Sequence, residues 1–488
     1  MKLSEIIKNL NIISISGDAD PDISDIVYDS RKVKENTLFV CLRGCGCNGH
    51  DFINDAISKG ARTILSEKKL EIPGTTVIEV KDTREALAYA SSNFFEHPYN
   101  KLTTIAITGT KGKTTTSHMI KSILETSGEK VGLIGTLGLV IGEKCEPLNN
   151  TTPESYEVQK CLSKMVKAGC RFAVIEASSI GLARHRLDGI DFDFGIFTNI
   201  SNDHIGQNEH KDFQEYLKSK NLLFKQCKTA FVNKDDDHYK EIINGSKCKI
   251  EFFGMSSSDY TAKNLHLLNS NGVMGVNFDI EGKLSLNNIF VSIPGKFNVY
   301  NALAAIAVSK TIGISNEDIL SGLKNVKVKG RVESVPTNRD FSILIDYAHN
   351  ALSMENVLNT LRKYNPSRLI TLFGAGGNRP KIRRFEMGEV AGRLSDFSIV
   401  TSDNPRFEDP LEIIEDIKKG INPISNKYTV IPDRKEAIRY AINHAQKGDI
   451  ILLAGKGHEV YQEIKGVKYH FDEREVVNAF LKDPCAKI

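Results

Sequence analysis

The stretch Leu102–Ile120, LTTIAITGTKGKTTTSHMI, decides how this chain is to be read. An apolar, β-branched run reads as a buried strand, Gly109 and Gly112 open a tight turn, and the following residues take up a helical pattern. Backbone N–H groups at such a strand-to-helix turn cradle phosphate. The ammonium of Lys113 neutralises it, and the Thr114 hydroxyl is a ligand for Mg2+. Thr110, Lys111, Gly112, Lys113, Thr114 and Thr115 are therefore the expected ATP-phosphate contacts. The loop reads GxxGKT, shorter than the common GxxxxGK[ST] form.

Working outward, three blocks emerge. Residues 1–98 end in the polar, proline-containing EHPYNK; residues 99–330 carry the phosphate loop; residues 331–488 alternate apolar strands with helical segments. In the last block FSILID, RLITLF, DFSIV, YTVI and DIILLA are separated by helices such as ALSMENVLNTLRKY. This alternation predicts an α/β chain whose carboxyl-terminal domain is a Rossmann-like, doubly wound parallel sheet. Ligands bind beyond the carboxyl ends of such strands. DYAHN, GAGGNR, SDNPR and GKGHE follow successive strands there and make one expected site.

Composition excludes several classes of function. The chain has 488 residues, 64 basic and 61 acidic side chains, and a formal charge of +3, so no global field marks nucleic acid as a partner. No run of 18 apolar residues and no signal-peptide core occurs, so a cytoplasmic location without membrane insertion is expected. Nine scattered cysteines fit reduced thiols. Cys41, Cys45, Cys47 and His50 lie close together, but their spacing matches no common zinc pattern.

Farther along, RFAVIEASS brings Glu176 to a strand end and FGIFTNISNDH brings Asp203 and His204 to another. A carboxylate and an imidazole beside a phosphate loop suit Mg2+ and its waters.

At this point the residues resemble the Mur ligase family of peptidoglycan synthesis, most closely its MurE type. The likeness rests on YDSRKVKENTLFVCLRG, TGTKGKTTT, NTTPES, EASSIGLARHRLDG, FTNISNDH, YLKSKNLLF, PGKFNVYNALAA, GRVE, DYAHN, SDNPRFEDP and GKGHE in family order. It spans essentially the whole chain. It implies an amino-terminal UDP-binding domain, a central ATP-binding domain and a carboxyl-terminal amino-acid-binding domain. The implied reaction adds an amino acid to UDP-MurNAc-L-Ala-D-Glu, with ATP as substrate and Mg2+ as cofactor. A monomer is expected.

Carried over by motif, Ser30 and Arg31 contact the uridine nucleotide. Thr151, Thr152, Ser178, Arg184 and Arg186 hold the muramoyl-peptide, where guanidinium forks suit carboxylates. Asn298, Asn301, Arg331 and Asp346 join the ATP site; the two asparagines are three apart, on one helix face. Lys113, Glu176, His204 and Lys220 form the implied catalytic set. Thr114, Glu176, His204 and Lys220 are the implied metal ligands, with Lys220 as a carbamate because an ammonium has no oxygen to offer.

In the family, DNPR accompanies addition of meso-diaminopimelate rather than L-lysine. Asp403, Asn404 and Arg406, with Gly455, Glu459 and Arg379, are thus the implied amino-acid contacts. Arg406 pairs with the distal carboxylate of this diamino acid, and Glu459 accepts from its distal ammonium. Pro405 fixes its own φ and biases Asn404 to an extended backbone. The chain departs from the family pattern at GAGGNRPK, Ile180, Lys111, Asn48 and Phe407. The competing readings are a ligase for L-lysine or another diamino acid, a folylpolyglutamate synthetase, and a nucleotide-sensing protein without catalysis.

Overall fold

The computed structural model describes residues 1–17, 20–44, 46–202, 205–206, 209–270 and 273–483. These divide into two compact units, Met1–Tyr260 with Leu303–Ile319, and Thr261–Ala302 with Leu320–Ile488.

The first unit contains two sheets. Strands β1 (Ile12–Ser16), β2 (Asp25–Val27), β3 (Thr37–Val40), β4 (Thr63–Ser66) and β5 (Thr76–Val80) are ordered β1-β5-β4-β3-β2. All neighbours are parallel except β1 and β5. The second sheet uses β6 (Thr103–Thr108), β7 (Val131–Gly135), β8 (Gly138–Ile141), β9 (Lys144–Glu146), β10 (Phe172–Glu176), β11 (Phe192–Phe197), β12 (Cys227–Asn233) and β13 (Lys249–Gly254). Its order is β13-β12-β11-β6-β10-β7-β8-β9.

The quoted stretch behaves as its pattern predicts: β6 is buried along nearly its whole length and feeds the helix Lys113–Thr126 across Gly112, whose φ is +90°. Only glycine takes that backbone conformation without a Cβ penalty. Parallel pairing sets Glu176 of β10 beside Ile107 of β6, and Ile175 beside Ile134 of β7. The polar residues at the ends of these strands therefore meet on one edge.

The second unit includes β14 (Tyr260–Ser270) from Thr261 onward, β15 (Val273–Gly282), β16 (Leu286–Val291) and a sheet of six strands. These six are β17 (Glu333–Val335), β18 (Ser342–Asp346), β19 (Leu369–Phe373), β20 (Phe397–Val400), β21 (Tyr428–Val430) and β22 (Ile450–Ala454). They are ordered β17-β18-β22-β19-β20-β21, parallel except at β17. The expected doubly wound sheet is present.

Leu344 and Leu452 face one apolar cluster, with Met354, Met387 and Ile417; Ile343, Ile345, Ile451 and Leu453 face another, with Ile438 and Val477. Helices cover both faces, which is why these strands read as continuous apolar runs. Tyr364 is buried; its hydroxyl accepts from Gly295 N at 2.9 Å and donates to Gly275 O at 3.0 Å, tying the β15 region to this sheet. A last hairpin, β23 (Tyr461–Ile464) and β24 (Val467–His470), follows GKGHE.

Among the described residues no helix is long and apolar enough to cross a membrane. No group of three or more His, Cys, Asp or Glu side chains among the described residues is placed to hold a metal ion. His50 Nδ1 lies 2.8 Å from Asn48 Oδ1, and Nε2 accepts from Glu67 N at 3.1 Å, so both ring nitrogens are engaged. Cys41 is fully buried, which pushes its thiol up to about 12. Cys45 lies outside the described residues.

Candidate active site

In the first unit the phosphate loop is fastened from below. Thr110 N donates to Asn199 O at 2.8 Å and Lys111 N to Asn199 Oδ1 at 3.0 Å; Thr198 Oγ1 and Asn199 Nδ2 both donate to Lys111 O. Thr110 Oγ1 is 2.8 Å from Tyr216 OH. Lys113 Nζ curls onto its own loop, donating to Gly109 O at 2.7 Å and Thr110 O at 3.2 Å. Thr115 is buried in the first turn of the helix.

Glu176 is fully buried and accepts from Thr114 Oγ1 (2.9 Å), Thr136 N (3.1 Å) and Thr136 Oγ1 (3.0 Å). Burial raises its pKa; Lys113 and the two threonines act in the opposite direction. Lys220 is 1% exposed, with its Nζ 4.4 Å from the centroid of the Tyr216 ring. Asp203 and His204 lie outside the described residues.

The next layer continues from the same strand. Thr152 Oγ1 donates to Glu176 O at 2.7 Å and accepts from Ser178 N at 2.9 Å, while Ser178 Oγ caps its helix by accepting from Gly181 N. Thr151 Oγ1 is 3.1 Å from Thr136 Oγ1. Arg186 is held by Thr152 O (2.8 Å) and Glu154 Oε1 (2.6 Å), and Glu154 also receives Arg84 Nη1 at 3.0 Å. Arg184 is half-buried nearby in sequence. Ser30 is buried, whereas the Arg31 side chain is 85% exposed and forked onto Asp29.

In the second unit Asn298 and Asn301 are buried: Asn298 Nδ2 donates to Pro294 O at 2.7 Å and Asn301 Nδ2 to Asn298 Oδ1 at 2.8 Å. Asp346 accepts from Val332 N (2.7 Å) and Ala348 N (2.8 Å). Burial raises its pKa against the opposing pull of Arg331. That guanidinium lies 5.4 Å from the Tyr347 ring centroid. His458 sits against the same ring at 4.7 Å, and burial, with Arg331 next, lowers its pKa to about 4.

Beyond the carboxyl ends of these strands is a cleft of about 120 Å3, lined by Arg379, Asp403, Asn404, Arg406, Gly455 and Glu459 among others. All six residues expected at the amino-acid site line it. The DNPR turn is shaped by glycines: a Cβ on Gly377 would lie 1.9 Å from Pro405 O, and one on Gly455 2.5 Å from Asp403 Oδ2.

Arg406 adopts φ +53°, a left-handed backbone that costs roughly 1–2 kcal/mol in a residue with a Cβ. Its strain is offset by hydrogen bonds from Arg406 N to Glu463 O (3.0 Å) and from Lys465 N to Arg406 O (2.6 Å). Arg406 Nη1 donates to Gly377 O at 2.6 Å. Phe407 is 72% exposed and outside the cleft lining.

The fold brings in residues that sequence reading did not single out. Thr136 ends the apolar run VGLIGT and links Thr114, Glu176 and Thr151. Its position after a buried strand is the signal that would have found it. Arg384, only 1% exposed, joins Glu408 just past DNPR to Asp416. Gln462 and Glu463 come from the β23–β24 hairpin and reach Asp403 O and Arg406.

Residues 22–96 match the catalytic domain of the Mur ligase family, residues 107–309 the Mur ligase middle domain, and residues 330–457 the Mur ligase glutamate ligase domain. A UDP-N-acetylmuramoyl-L-alanyl-D-glutamate--2,6-diaminopimelate ligase of Caldanaerobacter subterraneus subsp. tengcongensis is 45% identical over 99% of both chains. A protein of the same name, numbered 1, from Clostridium acetobutylicum is 43% identical over 99% of this chain and 100% of its own. A solved structure of a ligase with that name superposes with a TM-score of 0.74 at 29% identity, covering 100% of both chains. With three family domains matched along the chain and full-length relatives at 43–45% identity, the chain belongs to the Mur ligase family.

Proposed function

We propose that this protein is the ATP-dependent ligase that joins meso-diaminopimelate to UDP-MurNAc-L-Ala-D-Glu, a step of cytoplasmic peptidoglycan precursor synthesis. The carrying observation is the cleft lined by Asp403, Asn404, Arg406 and Glu459. It offers a guanidinium, an amide and carboxylates to one small ligand, the complement of an amino-acid end bearing both carboxylate and ammonium. An L-lysine side chain brings no distal carboxylate to Arg406, which then keeps just its ion pair with Glu463 at 3.3 Å, a loss of roughly 2–5 kcal/mol where the charge is desolvated.

The reaction runs in two displacements. A terminal carboxylate oxygen of the UDP-dipeptide attacks the γ-phosphorus of ATP, the bond to the β-phosphate oxygen breaks, and ADP leaves. The amine nitrogen of the diamino acid then attacks the acyl carbon, the carbon–oxygen bond to phosphate breaks, and the amine gives up a proton. The chain's own contribution is positioning and charge. Lys113 and the loop N–H groups receive phosphate oxygens. Arg186 and Ser178, built on Thr152, orient the peptide; Ser30 and Arg31 serve the uridine nucleotide. Asn298, Asn301, Arg331 and Asp346 are the further residues proposed for the nucleotide, and the acyl phosphate has to be kept from water.

Mg2+ fits the residues present. The Thr114 hydroxyl stands 2.9 Å from a fully buried Glu176 carboxylate, an oxygen pair of the kind hard cations take. His204 and Lys220, the latter as a carbamate, complete the proposed set. When bound, Mg2+ neutralises charge between the two reacting anions. The proposed partition is 1–98, 99–330 and 331–488, supported by the three family matches. A monomer is proposed, and light scattering of the purified protein tests it.

The deciding experiment is ADP release with the UDP-dipeptide and, in turn, meso-diaminopimelate, L-lysine, L-ornithine and other amines. A clear preference for meso-diaminopimelate is expected. Preference for lysine overturns the amino acid while leaving the reaction, and no release with any amine sinks the ligase reading.

A further inference from the structure

Beneath the amine cleft sits a buried cation that the mechanism above does not use. Lys456, in GKGHE, has no exposed surface. Its Nζ donates to Asn404 Oδ1 at 3.0 Å and lies 3.4 Å from Glu459 Oε2, with the Tyr461 and Phe471 ring centroids at 5.8 and 5.9 Å. A buried ammonium is costly unless it is held by acceptors, so its placement under two cleft residues requires a reason.

The hydrogen-bond geometry supplies one. An ammonium has only donors, so the atom of the Asn404 amide that faces Nζ is its oxygen. Glu463 N, which also only donates, reaches the same oxygen at 2.9 Å. Two independent donors thus fix the amide plane, and its nitrogen is turned to Glu459 Oε2 at 2.8 Å. The amide nitrogen has a second hydrogen and Glu459 a second oxygen. A ligand entering the cleft therefore meets a donor and an acceptor side by side, with the Arg406 guanidinium beside them.

We infer that Lys456 is a positioning residue that presets Asn404 and Glu459 to recognise the distal carboxylate and ammonium of the incoming diamino acid. This inference rests on the ligase reading and adds to it a specificity-determining residue that never touches substrate. Without Lys456 the Asn404 amide loses one of the two donors that set its orientation, and Glu459 loses a neighbouring cation. The loss falls on recognition of the distal amino acid centre, not on ATP or the UDP-dipeptide.

The test compares wild type with Lys456→Met and Asn404→Asp, using meso-diaminopimelate and 2-aminopimelate, which keeps the distal carboxylate but lacks the distal amine. Lys456→Met is expected to raise KM for meso-diaminopimelate by about tenfold, the loss of one charge-assisted contact. The kcat at saturation and the KM values for ATP and UDP-dipeptide stay within about twofold, as for an interaction outside the chemical step. The preference for meso-diaminopimelate over 2-aminopimelate should collapse toward unity, a change that a purely structural role would not produce.

Asn404→Asp still accepts from Lys456 but has no hydrogen for Glu459, so it should lose the same preference and keeps the inference testable if Lys456→Met does not fold. If either folded variant keeps the wild-type KM and preference, the inference is overturned. Wild-type activity in the same assay separates the two claims: none with meso-diaminopimelate sinks the ligase reading and this inference together, whereas normal wild-type activity with unchanged variants sinks this inference alone.

Discussion

Arg406 Nε lies 3.3 Å from Glu463 Oε2, and the same two residues share a backbone hydrogen bond from Arg406 N to Glu463 O at 3.0 Å. The guanidinium is thereby held at one edge by Glu463 and at Nη1 by Gly377 O, which leaves the Nη1/Nη2 end for a carboxylate.

Arg406→Ala should lower kcat/KM for meso-diaminopimelate by about thirtyfold to several thousandfold, the range for removing one partner of a desolvated charge pair. Binding of the UDP-dipeptide, read by calorimetry, should be unchanged. Unaltered kinetics with meso-diaminopimelate would remove Arg406 from the site.

Glu463→Ala should be far milder. Its pair with Arg406 is about a fifth exposed on both sides, and such partly solvated pairs contribute about 1 kcal/mol or less, so kcat/KM should fall less than about fivefold. A loss equal to that of Arg406→Ala would show that the aim of the guanidinium depends wholly on Glu463.

Glu176 links activity to pH-dependent stability. Its pKa is raised in the folded protein by burial, so the folded state binds more protons than the unfolded one above the ordinary carboxylate range. Stability of the ligand-free protein therefore falls as pH rises through the window above about 4.3, with a slope from this group of at most about 1.4 kcal/mol per pH unit. Urea melts should show that Glu176→Gln flattens this fall, while ADP release by the variant drops to background. An identical pH dependence in the two proteins would contradict the assignment.

Arg384 is buried between Glu408 and Asp416, and it lowers the pKa of both carboxyls, in Glu408 as the largest cause and in Asp416 after Lys419. Arg384→Ala should cost about 1–3 kcal/mol, because the charge-assisted hydrogen bonds to Glu408 and Asp416 are lost while Lys419 still holds Asp416 at 2.9 Å and Glu408 is partly exposed. Chemical denaturation measures this. A cost below about 1 kcal/mol would mean that the acids find solvent on their own.

Much of this was legible in the sequence. The apolar runs from Ile343 to Leu453 predict the strands of the last sheet because a strand covered on both faces is built mostly from apolar residues. The strand-to-helix turn Gly109–Thr114 and the four polar loops at successive strand ends are local patterns, and local patterns survive in a linear reading. The linear reading of Asn298 and Asn301 caught their shared helix face but not their burial against Pro294 O and each other.

Sequence by itself determined the family, the phosphate loop and the position of the DNPR turn, since each depends on residues within a few places of one another. Only the tertiary structure decided what holds those residues in place. Asn404 meets Glu459 across 55 residues and Glu463 N across 59, and Thr136 meets Glu176 across 40. Parallel strands joined by helical crossovers place loops side by side in space that are far apart along the chain. Their hydrogen-bond partners follow from sheet order and register, which no short-range pattern contains.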